Sequence, residues 1–319
     1  MQQNAKSARR HFSLIGASLL CFMVLALLVQ SLCTVVGSML LGTLMENPWV
    51  YYAVYYLPYY LLAVPYAVVL LRLNTFGVPP KNKMRFGEFI SFLPICFALS
   101  YIGNWLGNIF NAVIFFFRGS APENVLEGLF EGSSPWVTLV FVVILAPIFE
   151  ELVFRKLLID AVYPYGEKVC IVLSALLFGA FHGNFHQFFY AALVGALFGF
   201  IYCRTGKLLY TVLLHILFNL FGGLVTSEVI SLLDAAALAE GDIIRLFLEN
   251  PLGTVVYILF GFWMFGLSVL GFVLLIGKMK KTRLMDGQVK LASPLVTAVF
   301  NVGMILFLVA CGLMFLLSM

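Results

Sequence analysis

Three short clusters place ionisable and hydrogen-bonding side chains in apolar stretches, where each is expensive to bury unpaired. The first is Glu150-Glu151-Leu152-Val153-Phe154-Arg155. Glu151 and Arg155 stand four residues apart with the acid N-terminal, the favourable order for an ion pair on one helical face. Glu150 points about 100° away around the same helix, so the two glutamates are expected to do different work. Glu151 with Arg155 reads as a structural clasp. Glu150 has no local cation. It either faces a water or another helix, where a desolvated carboxylate suits acid/base chemistry, or it is solvated at the helix end. A helix starting at Pro135 carries Glu150 about 22 Å into a core about 30 Å thick, which favours the buried reading. Pro147 removes a backbone donor one turn earlier and is expected to disturb the helix there.

The second cluster is Phe178-Gly179-Ala180-Phe181-His182-Gly183-Asn184-Phe185-His186. His182 follows Phe178 by one turn, below an apolar face. His186 shares that face only if the helix continues, and two histidines at that spacing make half of a zinc site. Gly183 and Asn184 argue that the helix ends there and leaves His186 in a loop. The third cluster is His215-Ile216-Leu217-Phe218-Asn219. An imidazole and a carboxamide one turn apart offer donors to one point, as a developing oxyanion requires. The same pair also serves as glue between membrane helices.

These groups need a scaffold, and composition says which kind. Of 319 residues 62% are hydrophobic and 11% charged, with a mean hydropathy of +1.03. A soluble domain carries about 25% charged residues, so lipid is the expected solvent for most of the chain. The expected fold is an all-α polytopic bundle, a single membrane domain over 1–319 with about eight or nine spanning helices. The apolar runs are 12–43, 50–72, 88–117, 135–159, 168–186, 187–203, 207–225, 251–277 and 292–318. With a cytoplasmic N-terminus, 17 of the 19 Lys and Arg residues fall on the cytoplasmic side, as the positive-inside rule demands. Arg118 and Arg245 fall outside, beside the acidic stretches Glu123, Glu127, Glu131 and Glu228, Asp234, Glu240, Asp242, Glu249. Residues 229–248 mix apolar and acidic side chains, as a surface-lying amphipathic helix or a plain loop would.

Other features read as packing. Six cysteines form no C-x-x-C pair and suit small core positions. Gly195, Ala196 and Gly199 permit close helix approach. Trp49, Tyr51, Tyr52, Tyr55, Tyr56, Tyr59 and Tyr60 begin at a membrane edge, where aromatic anchors are favoured. Substrate contact is the alternative for that cluster. No internal repeat is visible, and no nucleic-acid partner is expected.

The three clusters, in this order, resemble the CPBP family of intramembrane proteases, also called the Abi or type II CAAX prenyl endopeptidase family. Its motifs Glu-Glu-x-x-x-Arg, Phe-x-x-x-His and His-x-x-x-Asn read here as Glu150-Glu151…Arg155, Phe178…His182 and His215…Asn219. Ala146-Pro147 and Arg204-Thr205-Gly206-Lys207-Leu208 agree as well. The resemblance covers about residues 135–225, a catalytic core within the membrane domain. Lys156 departs from the Gly that many members carry, and His186 lies outside the pattern. The resemblance implies hydrolysis of peptide bonds within or near the membrane, in membrane-associated substrates that include lipidated CAAX proteins. Glu150 and His182 would then hold and activate a water, and His215 and Asn219 would stabilise the oxyanion. Glu151, Arg155 and Phe178 would give structural support. Two cofactor readings stay open: zinc held by Glu150, His182 and His215, or a metal-free water activated by glutamate. Against an enzyme stand a catalytically silent scaffold or immunity protein of the same fold, and a proton-relay transporter. A bacterial plasma membrane is the expected location, with lipid and a peptide or protein substrate as partners.

Overall fold

The computed structural model describes residues 5–120 and 134–319, which form helices and no strand. Glu123, Glu127 and Glu131 lie outside the described residues. The helices, in chain order, are α1 (Ala5–Leu41), α2 (Pro48–Arg72), α3 (Phe86–Arg118), α4 (Pro135–Tyr165), α5 (Glu167–Phe181), α6 (Phe185–Thr205) and α7 (Leu208–Ile230). They continue as α8 (Ala235–Glu240), α9 (Ile243–Glu249), α10 (Pro251–Lys281), α11 (Pro294–Val299) and α12 (Val302–Leu317).

Seven of these, α1–α4, α6, α7 and α10, are long and apolar enough to cross a membrane. The chain is therefore a polytopic helical bundle. Two of the nine expected spans are shorter than their apolar runs. The fifth stops at Phe181, because Gly183 takes φ +67 and the Asn184 side chain caps the next helix by accepting from Gln187 N–H at 2.9 Å. The ninth is broken into α11 and α12, because Asn301 is extended and accepts from Met304 N–H at 3.0 Å. The expected amphipathic helix over 229–248 is likewise divided. Asp234 and Asp242 each cap a new short helix, and Gly241 turns between them at φ +69.

Two apolar cores hold the bundle together. One gathers Phe12, Ile15, Leu19 and Phe22 of α1 with residues of α2, α4, α5 and α12. The other joins Phe92, Ile95 and Phe97 of α3 to Val194 and Phe198 of α6 and Leu214 and Phe218 of α7. Many large apolar side chains nonetheless face outward, among them Leu259, Phe262 and Val273 of α10 at 62%, 70% and 63% exposure. Such faces suit hydrocarbon and not water. Between the helices, small residues carry the closest approaches, since lipid supplies no hydrophobic drive for helix pairing. A Cβ on Gly103 would sit 2.2 Å from Tyr190 Cα, and one on Gly271 would sit 1.9 Å from the Pro94 carbonyl oxygen. α3 thus meets α6 and α10 backbone to backbone.

Gly271→Val should separate α10 from α3 at a cost of about 1–3 kcal/mol, the usual penalty for overpacking. Thermal unfolding in detergent measures it. Gly277→Val is the control, because its Cβ would meet nothing within 4 Å. Equal melting temperatures for the two variants would contradict the packing described.

Candidate active site

The site is built on an ion pair. Arg155 Nε lies 3.2 Å from Glu151 Oε2, and both side chains are fully buried. Two unpaired charges there would each cost several kcal/mol, so neighbours complete the pair. Arg155 Nη1 donates to Ser174 Oγ at 2.9 Å, and the Ser174 hydroxyl donates to Phe154 O at 2.7 Å. The guanidinium also lies 4.5 Å from the centre of the Phe178 ring, a cation–π contact worth most when desolvated. Gly195 leaves room for both, since a Cβ there would sit 3.0 Å from Phe178 Cδ1 and 3.4 Å from Arg155 Nη2.

Glu151 does more than the expected clasp. Its Oε1 accepts from His215 Nδ1 at 3.1 Å, across from α7. The ion pair keeps that carboxylate an acceptor, so Nδ1 carries the proton. His215 Nε2 then faces Glu150 Oε2 at 3.7 Å, too far for a direct hydrogen bond. The histidine therefore stands between the two glutamates, bonded to one and aimed at the other. Glu150 retains 25% side-chain exposure while Glu151 has none, the separation that their offset around the helix predicts.

Pro147 acts through the backbone of α4. Two wider turns, Leu139–Leu145 and Leu152–Leu157, flank the segment Ala146–Glu151. In the first, Ala146 N–H reaches back five residues to Phe141 O. In that register the Val142 carbonyl would pair with residue 147, and proline has no N–H to offer. Asn219 Nδ2 fills the gap, donating to Val142 O at 3.1 Å. One carboxamide hydrogen of Asn219 is thereby committed, and the amide plane is fixed with the other taken by none of the described residues.

His182 ends α5. Its Nδ1 donates to Phe178 O at 2.9 Å, since a carbonyl only accepts. In the neutral imidazole this leaves Nε2 as an acceptor. The Phe178 ring stands edge-on to His182 and to His215, with centroids 4.9 Å and 6.0 Å away. One phenyl ring thus spaces both histidines and covers Arg155.

A cavity of about 890 Å³ joins these groups. Glu150, Phe178, His182, His215 and Asn219 all line it. The four residues expected to do chemistry therefore share one chamber within the apolar bundle, and Glu151 and Arg155 lie sealed behind it. His186 does not join them. The break at Gly183 puts it on α6, outside the cavity lining, with Nε2 buried and without a hydrogen-bond partner among the described residues. The zinc set Glu150, His182 and His215 is not assembled either. Among the described residues no three His, Cys, Asp or Glu side chains gather as a metal-holding group. The aromatic cluster divides. Trp49 and Tyr51 are exposed, Tyr60 stacks on Phe149 at 4.2 Å and donates to Phe141 O, and Tyr56 lines the cavity. Lys156, the departure from the family pattern, pairs with Asp160, which also accepts from Tyr202 Oη at 2.9 Å.

Sequence reasoning missed several polar linings: Ser100 and Asn104 of α3, and Gln187 and Tyr190 of α6. Gln187 and Asn104 offered a signal, each being a carboxamide in an apolar helix. Ser100 and Tyr190 sit at no telling spacing.

Residues 132–221 match the family described as type II CAAX prenyl endopeptidase Rce1-like, the stretch that carries the three motifs. The chain is also similar to the Bacillus subtilis (strain 168) protein named Putative membrane peptidase YdiL. The two are 28% identical over 163 residues, 48% of this chain and 64% of that relative. The chain thus spans less than two thirds of that relative's length. No solved structure matches the chain.

Arg155→Met should destabilise the protein by about 3–5 kcal/mol, because it strands Glu151 buried and unpaired. Adding Glu151→Gln should recover part of that loss. Thermal unfolding of the purified variants checks both. A double variant less stable than Arg155→Met alone would contradict the clasp.

Proposed function

We propose that the protein is an intramembrane endopeptidase that hydrolyses peptide bonds of membrane-associated substrates with a water activated by Glu150. The observation that carries this reading is the single cavity lined by Glu150, His182, His215 and Asn219 inside an apolar bundle. The match to CAAX-protease-like proteins supports it, and so does the similarity to a protein named as a membrane peptidase.

In this mechanism a water sits between Glu150 and His182. Glu150 takes one of its protons, and His182 Nε2 accepts a hydrogen bond from the other. The resulting hydroxide attacks the carbonyl carbon. The negative charge that develops on the carbonyl oxygen meets the second amide hydrogen of Asn219. His215 Nε2 joins as a donor only in the imidazolium form, since Nδ1 is already committed to Glu151. Glu150 then passes its proton to the departing amine as the C–N bond breaks. The steps are written with side chains alone; among the described residues the donors are not grouped as a metal site. Lipidated CAAX-type peptides are the finer substrate proposal. The N-terminus is assigned to the cytoplasm from the distribution of Lys and Arg, and the location to a bacterial plasma membrane.

Glu150→Ala and His182→Ala should each lower cleavage by about 10²–10⁴-fold, the usual contribution of acid–base catalysis. The assay is hydrolysis of a panel of lipidated and transmembrane peptides by folded variants. Undiminished cleavage by both would sink the mechanism, whereas no cleavage by the wild type would favour a silent scaffold. Asn219→Ala should lower kcat by about 10²–10³-fold, as loss of an oxyanion donor does. Activity should also survive dialysis against a chelator. Activity lost to chelation and restored by zinc would replace the glutamate-only mechanism.

A further inference from the structure

The polar side chains of α6 form a chain of hydrogen bonds whose direction is set by one backbone N–H. Gln187 N–H donates to Asn184 Oδ1 at 2.9 Å, which identifies the other Asn184 terminus as Nδ2. Asn184 Nδ2 donates to His182 O at 2.9 Å and to Gln187 Oε1 at 2.8 Å. Gln187 Oε1 is thereby the acceptor end, so its Nε2 donates, at 3.2 Å, to Tyr190 Oη. A hydroxyl that accepts this bond keeps its own proton to give away. Among the described residues none takes that proton, and Tyr190 and Gln187 both line the cavity. Their position is firm. Asn184 is 2% exposed, and Tyr190 backbone rests against Gly103 of α3 where no side chain would fit.

We infer that Gln187 and Tyr190 form a binding subsite for the backbone of the substrate peptide, with the Tyr190 hydroxyl donating to a peptide carbonyl next to the scissile bond. This rests on the peptidase reading. Two facts favour a peptide carbonyl as the acceptor. The cavity is otherwise walled largely by apolar side chains such as Phe97, Val194, Phe218 and Met264, so a polar backbone entering it needs a partner supplied by the protein. In addition, the subsite and His182 belong to one bonded unit, because Asn184 holds both His182 O and Gln187 Oε1. A carbonyl held by Tyr190 is thus placed relative to the residue that orients the water.

The test uses the full-length protein in detergent micelles and a fluorogenic peptide that the wild type cleaves. Tyr190→Phe should raise KM by about 2–10-fold, the range for one neutral hydrogen bond, with kcat within about twofold. Gln187→Glu is the sharper variant. Its carboxylate accepts from Tyr190, reverses that link and ties up the proton, so KM should rise as in Tyr190→Phe although the tyrosine is present. A double variant should be no worse than either single one. Melting temperatures report folding, and Gln187→Glu keeps the inference testable if Tyr190→Phe is unstable. Binding of the same peptide, read by fluorescence anisotropy in a Glu150→Gln background, should weaken by the same factor. Unchanged KM and unchanged binding in both variants would overturn the inference, as would a fall in kcat alone. Normal cleavage by Glu150→Gln would instead refute the hydrolytic role of Glu150, while the anisotropy shifts would still decide the subsite.

Discussion

Glu151 and Arg155 bury a full positive and a full negative charge where neither meets water. That pairing needs support from its surroundings, and the support comes from different helices, with Arg155 Nη2 left without a hydrogen-bond partner among the described residues. Ser174 and Phe178 of α5 attend the guanidinium, Gly195 of α6 makes space for it, and His215 of α7 takes the second carboxylate oxygen. Satisfying one ion pair therefore fixes four helices against each other. It also fixes the proton on His215 Nδ1, and so the character of the nitrogen that faces Glu150. Electrostatics behind the cavity wall decides what the wall presents.

α4 shows how a helix can hold reactive groups without a loop. Its two wide turns depart from regular winding on either side of the glutamates. The first, together with Pro147, frees one carbonyl that would otherwise be bonded along the helix, and Asn219 uses it. In hydrocarbon an orphan carbonyl costs several kcal/mol, so the irregularity and the asparagine require each other. Such departures from helical register recur at functional sites for this reason.

Much of this was legible in the residues alone. A four-residue spacing within one helix identified the clasp, and the offset of one residue separated Glu150 from Glu151. Buried polar residues in three apolar runs marked the cavity. The unread parts depend on contacts across long separations. Nothing local shows that Glu151 serves His215, 64 residues away, or that Asn219 answers a carbonyl on α4. The end of α5 was signalled by Gly183 and Asn184, yet the apolar run continued through it and hid the shortened helix. Asn184 was visible only as part of that helix end. Its role in orienting Gln187 and Tyr190 needed three side chains placed in space.

The junction of α1 with α12 has a bearing on synthesis. Gly303 N–H donates to Ser13 Oγ at 2.9 Å across 290 residues, and a Cβ on Gly16 would sit 2.3 Å from Met304 N. α1 is therefore notched for a helix that is made some 290 residues later. At about 5–20 residues per second, α1 waits roughly 15–60 s in the bilayer before α12 emerges. Through that interval its small-residue groove lies open to lipid and to other helices. A chaperone or insertase that shields the groove would shorten the list of wrong partners, and arrested or truncated chains would display it permanently to membrane quality control.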